Sequence, residues 1–453
     1  MIPNVPFEVS IEYVQLLRQA VEEKESEFIR SSMDGVLPAD ITSVLEELEA
    51  EECKYVLQQL DMEVSAEILA ELQEDLRKDF LSYFKDEELA AYLEEMDSDD
   101  AVDILNELSL EDREKVIAYI HSEEKISNIL DLLRYDDDCA GGLMAKELIK
   151  VNYNWNVVQC IEEIRRQAEN VEKVYTLYVV DDADKLMGKV SLKKIILASD
   201  HVRIKDLYDS EVVSVETYLK EEEVSQIMRK YDLEVVPVVN LRGTLVGRIT
   251  IDDILDVITE TVEEERQMMA GISEDVEEAD SVWVLSRARL PWLVIGMGGG
   301  MLAAQFMGMF DSDISLVPAL ATFVPLITAT GGNVGLQSSS LVLQSLANPS
   351  IFEDKLLKRL WKVLLVALMN GLVLSTCVFV INYFVGQAIL LAVVVSVALF
   401  SVVLLASLLG TITPIVMDKL DLNPALASGP FITIANDLLG LGVYFSVAHL
   451  LFF

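Results

Sequence analysis

The stretch Gly429 to Leu450, GPFITIANDLLGLGVYFSVAHL, limits what this chain can be. It is long and apolar enough to cross a bilayer as one helix, yet it carries a carboxylate, Asp437, near its middle. A bare charge at that depth raises the insertion free energy by at least about 3 kcal/mol, and such residues usually face a bundle interior or a water-filled path. Gly429, Thr433, Asp437 and Gly440 recur at helical spacing and so share one small, polar face, while the rest is Leu, Ile, Val and Phe. The plain alternative is an acid paired with a base inside a packed bundle. No Lys or Arg falls inside any apolar span of the chain, so the usual partner is missing.

Four further spans precede this one, at about Leu290 to Phe310, Leu316 to Leu343, Val363 to Val385 and Ile389 to Val416. The second is unusually polar. Pro318, Pro325 and the pair Gly331 and Gly332 are expected to bend or break it, which is tolerated where backbone is buried or lines a cavity. Its hydroxyl and amide side chains serve either as glue between helices or, with Asn333 and Gln337 beside the glycines, as the lining of a wet path; the second reading suits the residues better. Arg287, Arg289, Lys355, Lys358, Arg359, Lys362 and Lys419 flank alternate span ends, and the opposite ends carry only acids such as Asp311 and Asp313. That asymmetry places the soluble region in the cytoplasm and the C-terminus outside. The opening MIPNVPFEVSIEY lacks the basic-then-apolar pattern of a cleaved signal.

From Trp283 onward seven acids balance seven bases, so the net charge of −41 belongs entirely to the preceding region. A region that acidic repels nucleic acid and anionic head groups and collects cations. Its first part, from about Ile11 to Tyr135, repeats apolar residues every three or four positions, and DMEVSAEILAEL, KDEELAAYLEEM and SDDAVDILNELSLEDREKVIAYI read as related helix pairs of a superhelix. Asp97, Asp99, Asp100 and Asp103 crowd one helix start. Capping and the helix dipole favour acids there, but one capping acid would do, and four is an excess. Cys53, Cys139, Cys160 and Cys377 have no C-x-x-C spacing, and His121, His201 and His449 are scattered, so neither zinc nor a disulfide framework is indicated.

The run DDDCAGGLM, ending at Met144, interrupts the helices, and strand-like runs follow. Leu177 to Ile196 (LYVVDDADKLMGKVSLKKII) lies over Val236 to Leu255 (VPVVNLRGTLVGRITIDDIL) as an internal repeat of strand, turn, short strand and helix. Tandem copies of this unit resemble a pair of CBS domains, which commonly bind adenine nucleotides or ions. The second copy has Thr250 and Asp253 as in nucleotide-binding members, where the first has Ser191 and Lys194, so at most one site for a nucleotide such as ATP is expected. An acidic helix, TETVEEERQMMAGISEDVEE, then leads from the CBS pair to the membrane. Its acids are either a solvated face or part of a connector that couples the two.

With PLITATGGNVGLQSS (Pro325 to Ser339), NPALASGPFITIANDLLG (Asn423 to Gly440), AGGLM from Ala140, the CBS pair and the acidic helices in this order, the chain resembles the MgtE family of magnesium channels along its whole length. The resemblance implies a homodimer with five spans per subunit and a pore on the dimer axis. It places the pore acid on Asp437 and the pore-lining Asn on Asn333. Where the family usually has Asp-Pro, this chain has Asn423 and Pro424, so a cation contact at that mouth is lost or passes to Asp421.

The expected fold is therefore a mainly α, multidomain membrane protein: an acidic α-superhelical domain over 1–138, an α/β tandem CBS pair over 139–260, a connecting helix over 261–282 and a five-helix transmembrane domain over 283–453. Magnesium is small and hard and keeps several of its waters, so a permeation site for it is wide, oxygen-lined and lightly charged. Asp437, with Thr433, Gly429, Asn333 and Gln337, fits that description, and the span has no Cys to suit a softer metal. Candidate regulatory ligands are Asp99 and Asp103 on the helical domain, Asp252, Asp253 and Asp256 after the second CBS strand, and Glu260, Glu263, Glu264 and Glu265 on the connector. Cytoplasmic magnesium bridging them is expected to close the channel. The alternatives are a CBS-regulated sensor or scaffold without a pore, an anion channel, and a transporter of another divalent cation. The buried acid and polar second span oppose the first and the lack of intramembrane bases opposes the second. No nucleophile–base set suggests an enzyme.

Overall fold

The computed structural model describes residues 9–452 apart from 73, 169–173, 175, 274, 275, 277–280, 347–355, 421 and 428. The chain divides into two compact units, Met1–Ile258 and Thr259–Phe453.

The first unit begins with short amphipathic helices, α1 (Ile11–Glu22) to α10 (Glu123–Leu132), of which α8 spans Ser98–Glu107. Ser10, Ser109 and Ser122 cap α1, α9 (Leu110–Tyr119) and α10 by accepting from the backbone N–H three residues on. α1 packs on α2 (Ser26–Met33), and beyond them the main contacts join helices two places apart, as α3 (Pro38–Leu45) with α5 (Met62–Glu71) and α5 with α7 (Asp86–Glu95). Polar ties recur at one interval: Arg18 to the Glu47 carbonyl, Arg30 to that of Gln59, Lys54 to that of Tyr83 and Lys125 to that of Met96 are each separated by 29 residues. A repeated sequence offset is what a helical superhelix requires. The core formed by these helices is continuous with the second CBS copy, through Val215, Val224, Val236, Val238, Ile249 and Ile254.

The internal repeat is visible as two matching sheets. β1 (Ile149–Asn152), β2 (Leu177–Val180) and β3 (Leu186–Val190) form one, and β4 (Val215–Glu216), β5 (Val235–Val239) and β6 (Leu245–Thr250) the other. In each, the first pair is parallel and the second antiparallel. Helices α11 (Val157–Gln167), α12 (Leu192–Leu197) and α13 (Glu221–Tyr231) accompany them, and α14 (Ile251–Ala270) leaves β6 directly. Tyr178, Val180 and Leu245 pack the copies together. The AGGLM segment is stitched to the second copy: Ala140 and Gly141 donate to the carbonyls of Leu219 and Thr217, and Ala145 exchanges two hydrogen bonds with Arg248. Gly141 is required because a Cβ there would lie 2.4 Å from the Tyr135 ring.

The connector is not a separate helix starting near residue 261. α14 is unbroken from the second copy to Ala270 and stops at Gly271, whose φ is +83°.

The second unit contains α15 (Val282–Gly308), a short α16 (Asp311–Leu316), α17 (Ala319–Leu346), α18 (Leu356–Val385), α19 (Ile389–Lys419) and α20 (Pro430–Phe452). Five of these are long and apolar enough to cross a membrane. α19 is the most enclosed, covered by α17, α18 and α20. At one end α16 and the start of α17 grip α20: the Tyr444 hydroxyl donates to the Leu320 carbonyl at 2.8 Å, Phe310 stacks on Phe445 at 4.8 Å, and His449 Nδ1 lies 3.0 Å from Asp313 Oδ2.

The expected break in the second span does not occur. α17 runs unbroken from Ala319 to Leu346 with Pro325 and both glycines inside it. In a dry bundle an opened helix strands backbone groups, and the glycines serve close packing instead. A Cβ on Gly331 would lie 3.1 Å from Val402 Cγ1, and one on Gly410 of α19 would lie 2.3 Å from the Gly335 carbonyl oxygen. The helices cross backbone to backbone, the use of small residues typical of membrane interfaces. Gly410→Ala is expected to force α17 and α19 apart and destabilise the fold by about 1–3 kcal/mol, as overpacking does. Thermal unfolding of the detergent-solubilised protein measures this, and an unchanged midpoint would rule out the contact.

Candidate ion pathway and acidic metal centre

α20 starts under strain that glycine relieves. Gly429 has φ +58°, and a Cβ there would lie 2.2 Å from the Met269 carbonyl oxygen. A Cβ on Gly271 would lie 2.8 Å from the Pro430 ring, and the Asn423 amide nitrogen is 3.4 Å from Met268 Sδ. The end of α14 thus lies on the start of α20 within the second unit. Asn423 also accepts from the Ala425 N–H at 2.8 Å, so it shapes the turn before α20. Asp421 lies outside the described residues.

Along α20 the polar residues divide between two directions. A Cβ on Gly332 of α17 would lie 3.5 Å from the Thr433 methyl, and the Thr433 hydroxyl donates to the Gly429 carbonyl at 3.0 Å. Asp437 is half-buried, and Asn333 and Gln337, one turn apart on α17, are exposed on the single chain. Asp437 has neither ion pair nor hydrogen bond among the described residues. Gly440 departs from the expected shared face: it is buried, and a Cβ there would lie 3.5 Å from Val402 Cγ1. Asn436, which periodicity did not single out, is buried on the same helix with 2% exposure.

The acids of the first unit form a second constellation. Oxygens of Asp97, Asp99 and Glu147 lie within 4.8 Å of one another. Asp97 stands at the N-cap of α8 but makes no side-chain capping bond; its Oδ2 accepts from Arg248 Nη2 at 3.0 Å instead. The capping explanation of this acid therefore fails. Glu147 Oε2 accepts from Ser98 Oγ at 2.7 Å and Ser98 N at 3.1 Å, and Lys125 approaches Glu147 Oε1 at 3.8 Å. Nothing in the sequence marks Glu147, since 47 residues separate it from Asp100; the AGGLM stitching carries it to α8.

Asp253 reaches the same neighbourhood from the start of α14, where it accepts from Thr250 N at 2.9 Å and Thr250 Oγ1 at 2.6 Å. Burial and the charges of Asp100, Asp253, Asp97 and Glu147 hold the Asp99 carboxyl well above the usual carboxylate range. Burial, then Asp97, Asp253 and Asp103, pushes Asp100 up to about 7. Burial also pushes Asp103 up to about 7 against the opposing pull of Arg77, with Asp137, Asp253 and Glu107 adding to the rise. Burial raises Asp253 as well, opposed by its two bonds from Thr250. Asp252 and Asp256 sit beside it, exposed on α14. Glu260, Glu263, Glu264 and Glu265 follow on the same helix in the second unit, with Glu263 paired to Arg266 at 3.3 Å. Asp99, Asp100, Asp103 and Asp253, whose charged forms burial disfavours, stand with Asp97 and Glu147 as oxygen donors only, which suits a hard divalent cation.

Family models match three regions of the chain in order: the MgtE intracellular N domain at residues 37–138, CBS domains at 140–201 and 204–260, and MgtE, a divalent cation transporter, at 324–447. A magnesium transporter MgtE of Thermus thermophilus is 35% identical over 452 residues, covering 96% of this chain and 97% of that protein. One from Enterococcus faecalis is 33% identical over 328 residues, 72% of each chain. Among solved structures, the cytosolic domain of the Mg2+ channel MgtE in complex with ATP is similar at 32% identity and a TM-score of 0.50, covering 54% of this chain and 99% of that one. On these matches and the architecture that accompanies them, the chain belongs to the MgtE family of divalent cation transporters.

Proposed function

We propose that the chain is a magnesium-selective channel of the membrane, working as a homodimer and closed by magnesium bound to its acidic cytoplasmic part. The observation that carries the reading is Asp437, an acid without a partner among the described residues, on a membrane-length helix beside Thr433. Asp437 is half-buried, and Asn333 and Gln337 are exposed on the single chain, as a path completed by a second copy would need. Two carboxylates at a two-fold axis, with the Gly429 carbonyl and Thr433 near the mouth, offer oxygens to a hydrated ion without trapping it. Five candidate spans and basic residues at alternate span ends support a cytoplasmic N-terminal region and a C-terminus outside. The work divides as 1–138 and 139–260 for sensing, 261–282 for coupling and 283–453 for conduction.

In this reading, dense like charge drives the acidic elements apart, and divalent ions at Asp97, Asp99, Asp103, Glu147 and Asp253 offset that repulsion. Asp252, Asp256, Glu260, Glu263 and Glu264 extend the attraction along α14, whose end reaches Gly429 and Pro430. The transported ion is then its own inhibitor, provided it binds the closed state more tightly than the open one. The ATP-bound relative supports a nucleotide at the second CBS copy as an additional regulator, held by Thr250 and Asp253. These two side chains are bonded to each other, so a nucleotide there competes with an internal contact.

Asp437→Ala is expected to abolish magnesium flux into liposomes while leaving the protein folded, because it removes a costly intramembrane acid. Normal flux with unchanged ion preference would refute the pathway. The metal centre predicts a pH dependence. Asp100 and Asp103 titrate near 7 in the folded chain against about 3.9 unfolded, so without divalent ions they weaken the fold as pH rises through that interval, fully so above about 7. Magnesium should raise the melting temperature of the full-length protein more at pH 8 than at pH 6, and Glu147→Gln should shrink the difference; equal shifts at both pH values would exclude the cluster as the site. Deletion of residues 1–138 removes one side of the bridge. The truncated channel is expected to conduct at magnesium concentrations that close the full-length one, and identical inhibition curves would exclude the helical domain from the sensor.

A further inference from the structure

Asn436 is 2% exposed in the middle of α20, and neither its Nδ2 nor its Oδ1 has a hydrogen-bond partner among the described residues. An unpaired amide is unfavourable in any apolar interior, and a bilayer supplies no solvent to relieve it. The amide occupies a notch made for it. A Cβ on Gly335 would lie 1.8 Å from Asn436 Nδ2 and 3.0 Å from its Cγ. Gly335 is pressed from the other side by Gly410 of α19, so the notch has no slack. One turn along α17, Ser339 is fully buried and its Oγ is likewise without a partner among the described residues. The two polar groups thus lie inside the protomer, and Asn436 directly precedes the half-buried Asp437.

A residue kept here for packing alone would serve better as an apolar side chain, and a structural polar residue would be paired. The amide therefore has a use in a different setting of α20. Successive residues on a helix point about 100° apart, so a partial turn of α20 carries Asn436 toward the side where Asp437 now lies. We propose that Asn436 is a positioning residue of the pore helix, seated unpaired against Gly335 in the setting seen here and turned into the ion path, against the hydration shell of the divalent cation, when α20 rotates in gating. This rests on the reading of Asp437 as the pore acid. The unpaired amide raises the free energy of the present setting and so brings the two settings closer. Weak divalent sites elsewhere are then enough to decide between them.

The test is state-dependent access. Cys377 is the exposed cysteine, and Cys53, Cys139 and Cys160 are buried. Asn436→Cys in a Cys377→Ser background, full-length and in liposomes, is treated with a hydrophilic thiol reagent with and without millimolar magnesium. Labelling should be at least about tenfold faster without magnesium, the ratio that corresponds to a population shift of about 1.4 kcal/mol. Equal rates in the two conditions overturn the proposal. Asn436→Leu provides a second readout that does not depend on the cysteine variant folding. It should raise the unfolding midpoint by a few degrees and lower magnesium flux by about an order of magnitude, the loss of roughly one hydrogen bond to a charged shell. A less stable Asn436→Leu protein, or one with undiminished flux, also overturns it. Asp437→Ala run alongside separates the failures: if it conducts normally the pathway itself is wrong, and if it is silent while Asn436 labelling ignores magnesium, only the present inference falls.

Discussion

A carboxylate on a membrane-crossing helix must find a base, a proton or water, because hydrocarbon offers none of the three. Asp437 has no base among the described residues, so the surrounding helices have to provide an environment in which it is tolerated. That requirement shapes the second unit. Gly429 and Thr433 precede it on α20, and Gly332 of α17 lies against Thr433, while the large apolar side chains Tyr444 and Phe445 are buried in the bundle core. The acid is placed by a helix and not by a loop, and Phe310, Leu320 and Asp313 hold the far end of α20 against its neighbours.

Close packing is what lets polar residues persist in such a bundle. Gly335 and Gly410 bring α17 and α19 to backbone contact, and Ser338 and Ser407 share a hydrogen bond of 3.1 Å across the same junction. With no hydrophobic driving force between helices in lipid, contacts of this kind set the crossing. The glycines of α17 look like helix breakers on propensity grounds. In the folded bundle they are the points at which neighbouring helices touch, and the helix remains intact because an opened turn would leave backbone groups with nothing to bond.

The first unit faces the opposite problem, too much charge of one sign in water. Its fold tolerates the excess at most sites by exposure, but at α8 it gathers Asp97 and Glu147 with Asp99, Asp100, Asp103 and Asp253, and burial opposes ionisation of the last four. Arg248, bonded to Asp97, and Arg77, bonded to Glu107, supply only part of the compensation. A cation placed among these carboxylates would offset both their burial and their mutual repulsion.

Periodicity, charge and the internal repeat made much of this legible in the chain itself. The five spans, the helical first domain, the paired sheets and the unpartnered Asp437 all follow from local pattern, because a helix face or an alternating strand is a property of nearby residues. The start of the connecting helix and the integrity of α17 did not follow, since both depend on what packs beside them. Glu147 and Asn436 lay further out of reach. One becomes a candidate ligand only when AGGLM threads against the second CBS copy, and the other is conspicuous only because Gly335 turns out to face it. The sequence by itself determined which residues are polar in apolar surroundings and how many times the chain crosses the membrane. Only the tertiary structure decided which of those polar groups meet, because that depends on which helix covers which face, and a period of 3.6 residues names the faces without naming their neighbours.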